Sequence, residues 1–270
     1  MLKIRHYAKP QNVAGKLKQH FDMNKIYGIL LLGFLLIGCN ENKANKKVEQ
    51  NKPEQNVEFN KNLAKELAEM AVTDQLAASN AFPPKIYSQF SQKKWEAFKD
   101  SIFRSNQKRI AEIFKKYGFV GYDIAGKSGS NDFWLIVQHS DHNPDFQKKV
   151  LKKMKIEVEK GNADSQKYGL LVDRVKLNTG EKQIYGSQVT YNPKTGQAYP
   201  RKLSDSATVN QRRKAIGLEP LEIYLNKMTI MHFNMNKEYF SKKGITEPKL
   251  YKTKKQPAGN GLGIAEGGEF

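Results

Sequence analysis

Gln138-His139-Ser140-Asp141-His142 follows directly on the apolar run Phe133-Trp134-Leu135-Ile136-Val137. Histidine titrates near neutrality, so an imidazole at the end of a buried stretch is suited to moving protons. His139 is the candidate general acid or base. Asp141 or Asp173 would orient its ring, and Arg174 or Arg212 would hold an anionic group. Ser140 is not its nucleophile, because adjacent side chains on a helix diverge. His139 and His142, three apart with Asp141 between them, could begin a metal site, but no third and fourth ligands are evident, so no metal or other cofactor is expected.

More polar residues stand where apolar ones belong. The stripe Leu63, Leu67, Met70 continues onto Asp74, with Gln75 beside it, and Asn106 interrupts the face between Ile102 and Ile110. Gln138, Gln188 and the pair Arg212-Arg213 are similarly placed. Burying such groups is costly unless they bond to one another. Two readings follow. In one, they form an internal network that fixes how the helices meet. In the other, they line one cleft, with His139, Asp141 and Asp173 catalytic and Asp74, Gln75, Asn106, Gln138, Arg174, Gln188 and Arg212 binding. The Tyr185-Gly186 step allows a close backbone approach to a ligand, or a bulge.

GYDIAGKS, residues 121–128, has the spelling of a phosphate-binding loop. A working loop of that kind joins a buried strand to a helix and is built of small residues. Here a long amphipathic helix precedes it, with only residues 117–120 between, and it contains Tyr122 and Ile124. Leu170-Leu171-Val172-Asp173 could imitate a magnesium-binding strand, but the alternating strands and helices of a parallel sheet are missing. The stretch reads as an ordinary loop, and nucleotide hydrolysis is not expected. No acyl-transfer elbow, zinc-finger spacing or dinucleotide fingerprint occurs.

The elements that must position these residues are mostly helical. Periodicity and capping predict helices over residues 60–78, 91–116, 143–160 and 164–174. The run 133–137 is apolar all round, so period does not separate strand from buried helix, and the helix-start residues Ser130, Asn131 and Asp132 favour helix. Strands and turns are expected at 175–177, 183–191 and 197–201. A short helix then carries Arg212 and Arg213, and another runs from Glu219-Pro220 to about Met228. The predicted fold class is mainly α (α+β), a compact helical domain over 60–228 with a small β-hairpin or meander. Residues 229–270 read as a basic, partly disordered extension.

WLIVQHSD (134–141), DRV (173–175), YGSQ (185–188) and RRKAIGLEPLEIY (212–224) occur in that order. Together they resemble an uncharacterised bacterial family, a domain of unknown function. Residues 70–75, Asn106 and the Gly118-Phe119 turn fit the same pattern, so the resemblance spans about 63–228. Ser187 stands where threonine is usual, and Val120 where proline is common. The resemblance implies a shared fold and a shared site, and brings no activity with it.

Ahead of the domain, residues 26–39 read IYGILLLGFLLIGC. The run is short for a bilayer span, which takes ~20 apolar residues, and suits a signal peptide. Its ending Leu36-Ile37-Gly38-Cys39 resembles the lipobox of bacterial lipoproteins, in which the cysteine is acylated (palmitate among the acyl chains) and becomes the N-terminus. Residues 1–38 are therefore expected to be a leader, with 1–22 a mis-assigned start upstream of Met23, and 39–59 a polar, flexible tether. Cys39 is the single cysteine, so no intrachain disulfide forms. Two or three acyl chains anchor firmly. The expected place is the bacterial cell envelope, lipid-anchored on a periplasmic or extracellular face.

The formal charge of +19 raises nucleic acid, anionic membrane and acidic glycans as partners. Only seven of the 46 basic residues are arginine, the preferred fork for phosphates and base edges, so nucleic acid is not expected. The partners expected are membrane lipid through Cys39 and an unknown small molecule or envelope component. The reading is a binding or interaction module with a polar cleft around His139; the alternative is a metal-independent hydrolase or transferase using the same histidine.

Overall fold

The computed structural model describes residues 58–253. The expected leader, Cys39, the tether up to residue 57 and the end of the basic extension lie outside the described residues.

Helices start where a side chain can accept the free backbone N–H groups of the first turn. Asn60 Oδ1 accepts from Leu63 N at 2.9 Å and opens α1, Lys61–Ser79. Ser91 opens α2, Gln92–Tyr117, which Gly118 ends. Asn143 caps α4, Pro144–Glu159, with proline in the first turn. Asp164 accepts from Gln166 N at 2.8 Å and Lys167 N at 3.1 Å, starting α5, Ser165–Asn178.

Between α2 and α4 lies α3, Tyr122–Gln138, and it holds the phosphate-loop spelling. The expected loop is therefore helix, broken once at Gly126, where φ is 68° and ψ 176°. Both glycines of the pattern have structural causes. Gly126 takes a left-handed φ that disfavours any residue with a Cβ. A Cβ on Gly121 would lie 2.2 Å from Asn162 Nδ2, and Asn162 clamps this turn by accepting from Asp123 N at 3.0 Å.

Helices α1 to α5 enclose the larger core, with Leu67, Ile110, Phe133, Val137, Val150 and Leu171 at its centre. Helix α1 lies against α2 and α3, and α4 against α5. At one end, Tyr87, Phe90, Trp95 and Phe98 pack ring on ring. The second half is smaller: β1, Val189–Tyr191, pairs antiparallel with β2, Ala198–Pro200. Then come α6, Val209–Ala215, α7, Leu221–Met235, and α8, Lys237–Ser241. Ala198, Val209, Leu221 and Leu225 form the second core. The fold is mainly helical with one small hairpin.

Besides the early start of α3, three boundaries differ from expectation. Residues 175–177 continue α5 instead of forming a strand, because Leu171 and Val175 keep helical spacing on the buried face. The strand expected over 183–191 is confined to Val189–Tyr191. Upstream of it, backbone N–H groups bond to side chains in place of a neighbouring strand. Helix α7 passes Met228 because Leu221, Leu225, Thr229 and Phe233 carry the buried stripe to its end. Chain beyond it is tied down: Tyr251 N donates to Asn226 Oδ1 at 2.7 Å, and its hydroxyl to Ala198 O at 2.8 Å. Among the described residues, no helix is long and apolar enough to cross a membrane.

Candidate functional site

Helix α3 delivers His139 at its C-terminal cap. The last carbonyls of a helix lack internal partners, and here two side chains supply them. Ser140 Oγ donates to Ile136 O at 3.0 Å. Gln147 Nε2, from α4, donates to Val137 O at 3.0 Å and Gln138 O at 3.2 Å. The helix end is fixed, and with it the imidazole. On one side the ring meets Phe103 of α2, centroids 5.6 Å apart.

His139 Nδ1 makes a hydrogen bond with Oδ2 of Asp74. Asp74 sits on the core face of α1 and is 0% exposed. Its other oxygen accepts from Asn106 Nδ2 of α2 at 3.3 Å. Three helices thus bring Asp74, Asn106 and His139 to one point. The His139 side chain keeps 15% exposure, and Nε2 makes no hydrogen bond among the described residues. An ionised carboxylate can only accept, so it selects the tautomer with hydrogen on Nδ1. That leaves the Nε2 lone pair of the neutral ring as the outward atom. A buried carboxylate behind Nδ1 with a free Nε2 in front is the arrangement of a fixed proton acceptor or hydrogen-bond acceptor.

Two roles assigned from sequence move. Asp141 does not orient His139; it takes a fork from Arg174 of α5, Nε to Oδ1 at 2.8 Å and Nη2 to Oδ2 at 2.6 Å. Asn178 and Gln147 also donate to it, at 2.8 and 3.3 Å. Partial burial pushes its carboxyl up, but the Arg174 guanidinium and these donors more than offset that and hold it below its ordinary value. The pair is a clamp between the α3–α4 turn and α5, with Arg174 neutralised within it.

Asp173 is also bonded elsewhere. It is 0% exposed and accepts from the backbone N–H groups of Ile184 at 2.7 Å, Tyr185 at 2.9 Å and Ser187 at 2.8 Å. Successive N–H groups turned on one carboxylate form a concave anion seat, filled here by the chain's own aspartate. Arg213, 1% exposed, closes the far side: it donates to Tyr185 O at 2.7 Å and Glu219 O at 2.6 Å and lies over the Tyr224 ring at 5.0 Å. Burial lowers its pKa. Tyr224 donates its hydroxyl to Ser187 O at 2.7 Å. Arg212 donates to Ile184 O at 3.0 Å, Ser204 O at 2.8 Å and Asp205 O at 2.7 Å. Gln188 is held through its backbone, its N–H donating to Gln183 Oε1 at 2.9 Å and its carbonyl accepting from Gln183 Nε2 at 2.8 Å. The DRV, YGSQ and RR segments therefore interlock as one hydrogen-bonded unit.

Of the ten residues expected in one cleft, Asp74, Asn106 and His139 meet, Asp141 and Arg174 pair, and Asp173, Gln188 and Arg212 belong to the interlocked unit. Gln75 is exposed on α1 and accepts only from Ser79 at 3.4 Å. Gln138 contributes a backbone carbonyl. Gln147 went unremarked in the sequence, although it sits three residues before Val150 on the buried stripe of α4. Its Oε1 is the one buried side-chain oxygen without a partner among the described residues. Phe103 carried no such signal. Among the described residues, no group of three or more His, Cys, Asp or Glu is placed to hold a metal ion.

No curated protein and no solved structure matches the chain. A family model does match, over residues 62–232. That span runs from the first turn of α1 into α7 and takes in the Asp74–Asn106–His139 meeting point and the interlocked unit. The chain belongs to the family of unknown function DUF6624.

Proposed function

We propose that this is a lipid-anchored protein of the bacterial cell envelope whose helical domain is a binding module. Acylated Cys39 holds it to the membrane, and His139 makes the decisive contact with a ligand. One observation carries the site: a fully buried carboxylate, Asp74, fixes Nδ1 of a histidine that keeps 15% exposure. The same geometry favours a second reading, a metal-independent hydrolase or transferase in which Nε2 takes a proton from water or a hydroxyl.

The test uses the full chain in cells. Labelled palmitate should enter the wild type and not Cys39→Ser, which should leave the membrane fraction. A photo-crosslinker at Phe103, beside His139, should capture one discrete species, and His139→Asn should abolish that capture while the protein stays folded. Unchanged capture in His139→Asn sinks the site; an unlabelled Cys39 sinks the anchor. Turnover of an ester or phosphoester, lost in His139→Asn, decides for the second reading.

A further inference from the structure

A separate cleft of about 180 Å³ lies at the other end of α3, lined among others by Tyr122, Lys127, Ser130, Trp134, Asp164 and Lys167. Lys127 and His139 are twelve residues apart on the straight part of the helix, about 18 Å at 1.5 Å per residue. None of Asp74, Phe103, Asn106 and His139 lines this cleft, so it is distinct from the His139 site.

Its polar groups are unusual in being unengaged. Ser130 is 4% exposed, lines the cleft, and its hydroxyl has no hydrogen-bond partner among the described residues. That oxygen is not sealed off in the interior but opens on the cleft, where it is free to donate to a ligand oxygen. Neither Lys127 nor Lys167 has a carboxylate in ion-pair contact among the described residues. Their ammonium groups lie only over aromatic faces, Lys127 at 5.9 Å from the Tyr122 centroid and Lys167 at 5.8 Å from that of Trp134. Two carboxylates are nearby. Asp164 is occupied as the cap of α5, and Asp132 feels the charge of Lys167. The break at Gly126 restarts α3 at Lys127, so Lys127 and Ser130 stand in the first turn of a helical segment, where the helix dipole favours an anion.

We propose that this cleft binds a small phosphate monoester carrying a compact apolar or aromatic group. Phosphate suits it better than carboxylate. The donors are two point-charge ammoniums and a hydroxyl converging from separate residues, whereas planar carboxylates pair best with guanidinium forks. The Trp134 indole N–H is already given to Lys167 O at 2.9 Å, leaving the ring as an apolar wall beside Phe119 and Met154. The volume is below the ~300 Å³ of pockets for drug-sized ligands, which excludes a nucleoside triphosphate and limits the ester to about the size of phenyl phosphate.

The experiment is calorimetric titration of the full chain in detergent with phenyl phosphate, inorganic phosphate and benzoate. Phenyl phosphate should bind most tightly. Lys127→Gln and Lys167→Gln should each weaken it roughly tenfold and Ser130→Ala roughly threefold, the scale of single charged and neutral hydrogen bonds. Both lysines lie at least partly in solvent, so their variants should fold, which near-ultraviolet circular dichroism checks. Absence of binding overturns the proposal. Binding that persists in the Lys127→Gln/Lys167→Gln double variant places the anion elsewhere and overturns it too. Benzoate binding as tightly as phenyl phosphate overturns the phosphate assignment.

Discussion

His139→Ala leaves Asp74, 0% exposed, with a single bond from Asn106 at 3.3 Å. Removing one member of a buried polar pair costs about 3–5 kcal/mol, because the other remains desolvated and uncompensated. The lower end applies here, since Asn106 stays and the space left by the ring, which is 15% exposed, can admit water. A loss of about 3 kcal/mol in a domain of this size lowers Tm by roughly 6–12 °C. His139→Asn behaves differently. An asparagine amide can place a donor close to where Nδ1 stands, so the bond to Asp74 is kept and at least half of the loss should be recovered, while Nε2 is gone. Adding Asp74→Asn to His139→Ala should cost less than the sum of the single changes, with a coupling of about 2 kcal/mol. Scanning calorimetry and urea titration of the four variants read these numbers. If His139→Ala lies within about 1 kcal/mol of the wild type, or if the two changes simply add, the buried pair is not what holds the imidazole.

Two further predictions concern the second half of the domain and its pH response. Asp173→Asn replaces two accepting oxygens by one and turns an amide donor toward the N–H groups of Ile184, Tyr185 and Ser187, so it should cost about 3 kcal/mol or more in urea unfolding; a loss under about 1 kcal/mol would mean the turn holds itself. His232 stacks on Tyr191 with centroids 3.8 Å apart, and burial lowers its pKa in the folded state. The unfolded chain therefore takes up that proton more readily, so stability is full above the unfolded value of about 6.5 and declines as pH falls from there through the folded value. His232→Phe keeps the stack and should flatten the fall in Tm between pH 7 and pH 5, whereas an unchanged slope would remove His232 as its cause.

How much of this was legible in the sequence depended on whether an interaction is local. Caps at Asn60, Ser91, Asn143 and Asp164 lie within three residues of what they bond, so helix starts could be read directly. The core faces of α1 and α2 were equally plain, and so were Asp74 and Asn106 as polar residues out of place on them. Which polar residue meets which was not legible. Asp74 and His139 are 65 positions apart, and nothing in spacing ranks Asp74 above Asp141 or Asp173 as the partner. The 183–188 segment misled for a related reason. Its residues suit a strand, but the N–H groups of Ile184, Tyr185, Ser187 and Gln188 are taken by the side chains of Asp173 and Gln183, a solution that β-propensity does not contain. The phosphate-loop spelling likewise reflects two unrelated needs, the approach of Asn162 to Gly121 and a helix break at Gly126.

The site depends on which nitrogen of His139 holds its hydrogen. Long-range nitrogen–proton NMR of the full chain, with nitrogen-15 in its histidines and His139 assigned by its asparagine variant, reads this directly. The expected result is a ring with hydrogen on Nδ1, coupled to Asp74, and a bare Nε2 whose shift moves when ligand is added. Hydrogen on Nε2, or an Nε2 signal indifferent to every ligand that binds the domain, would contradict it.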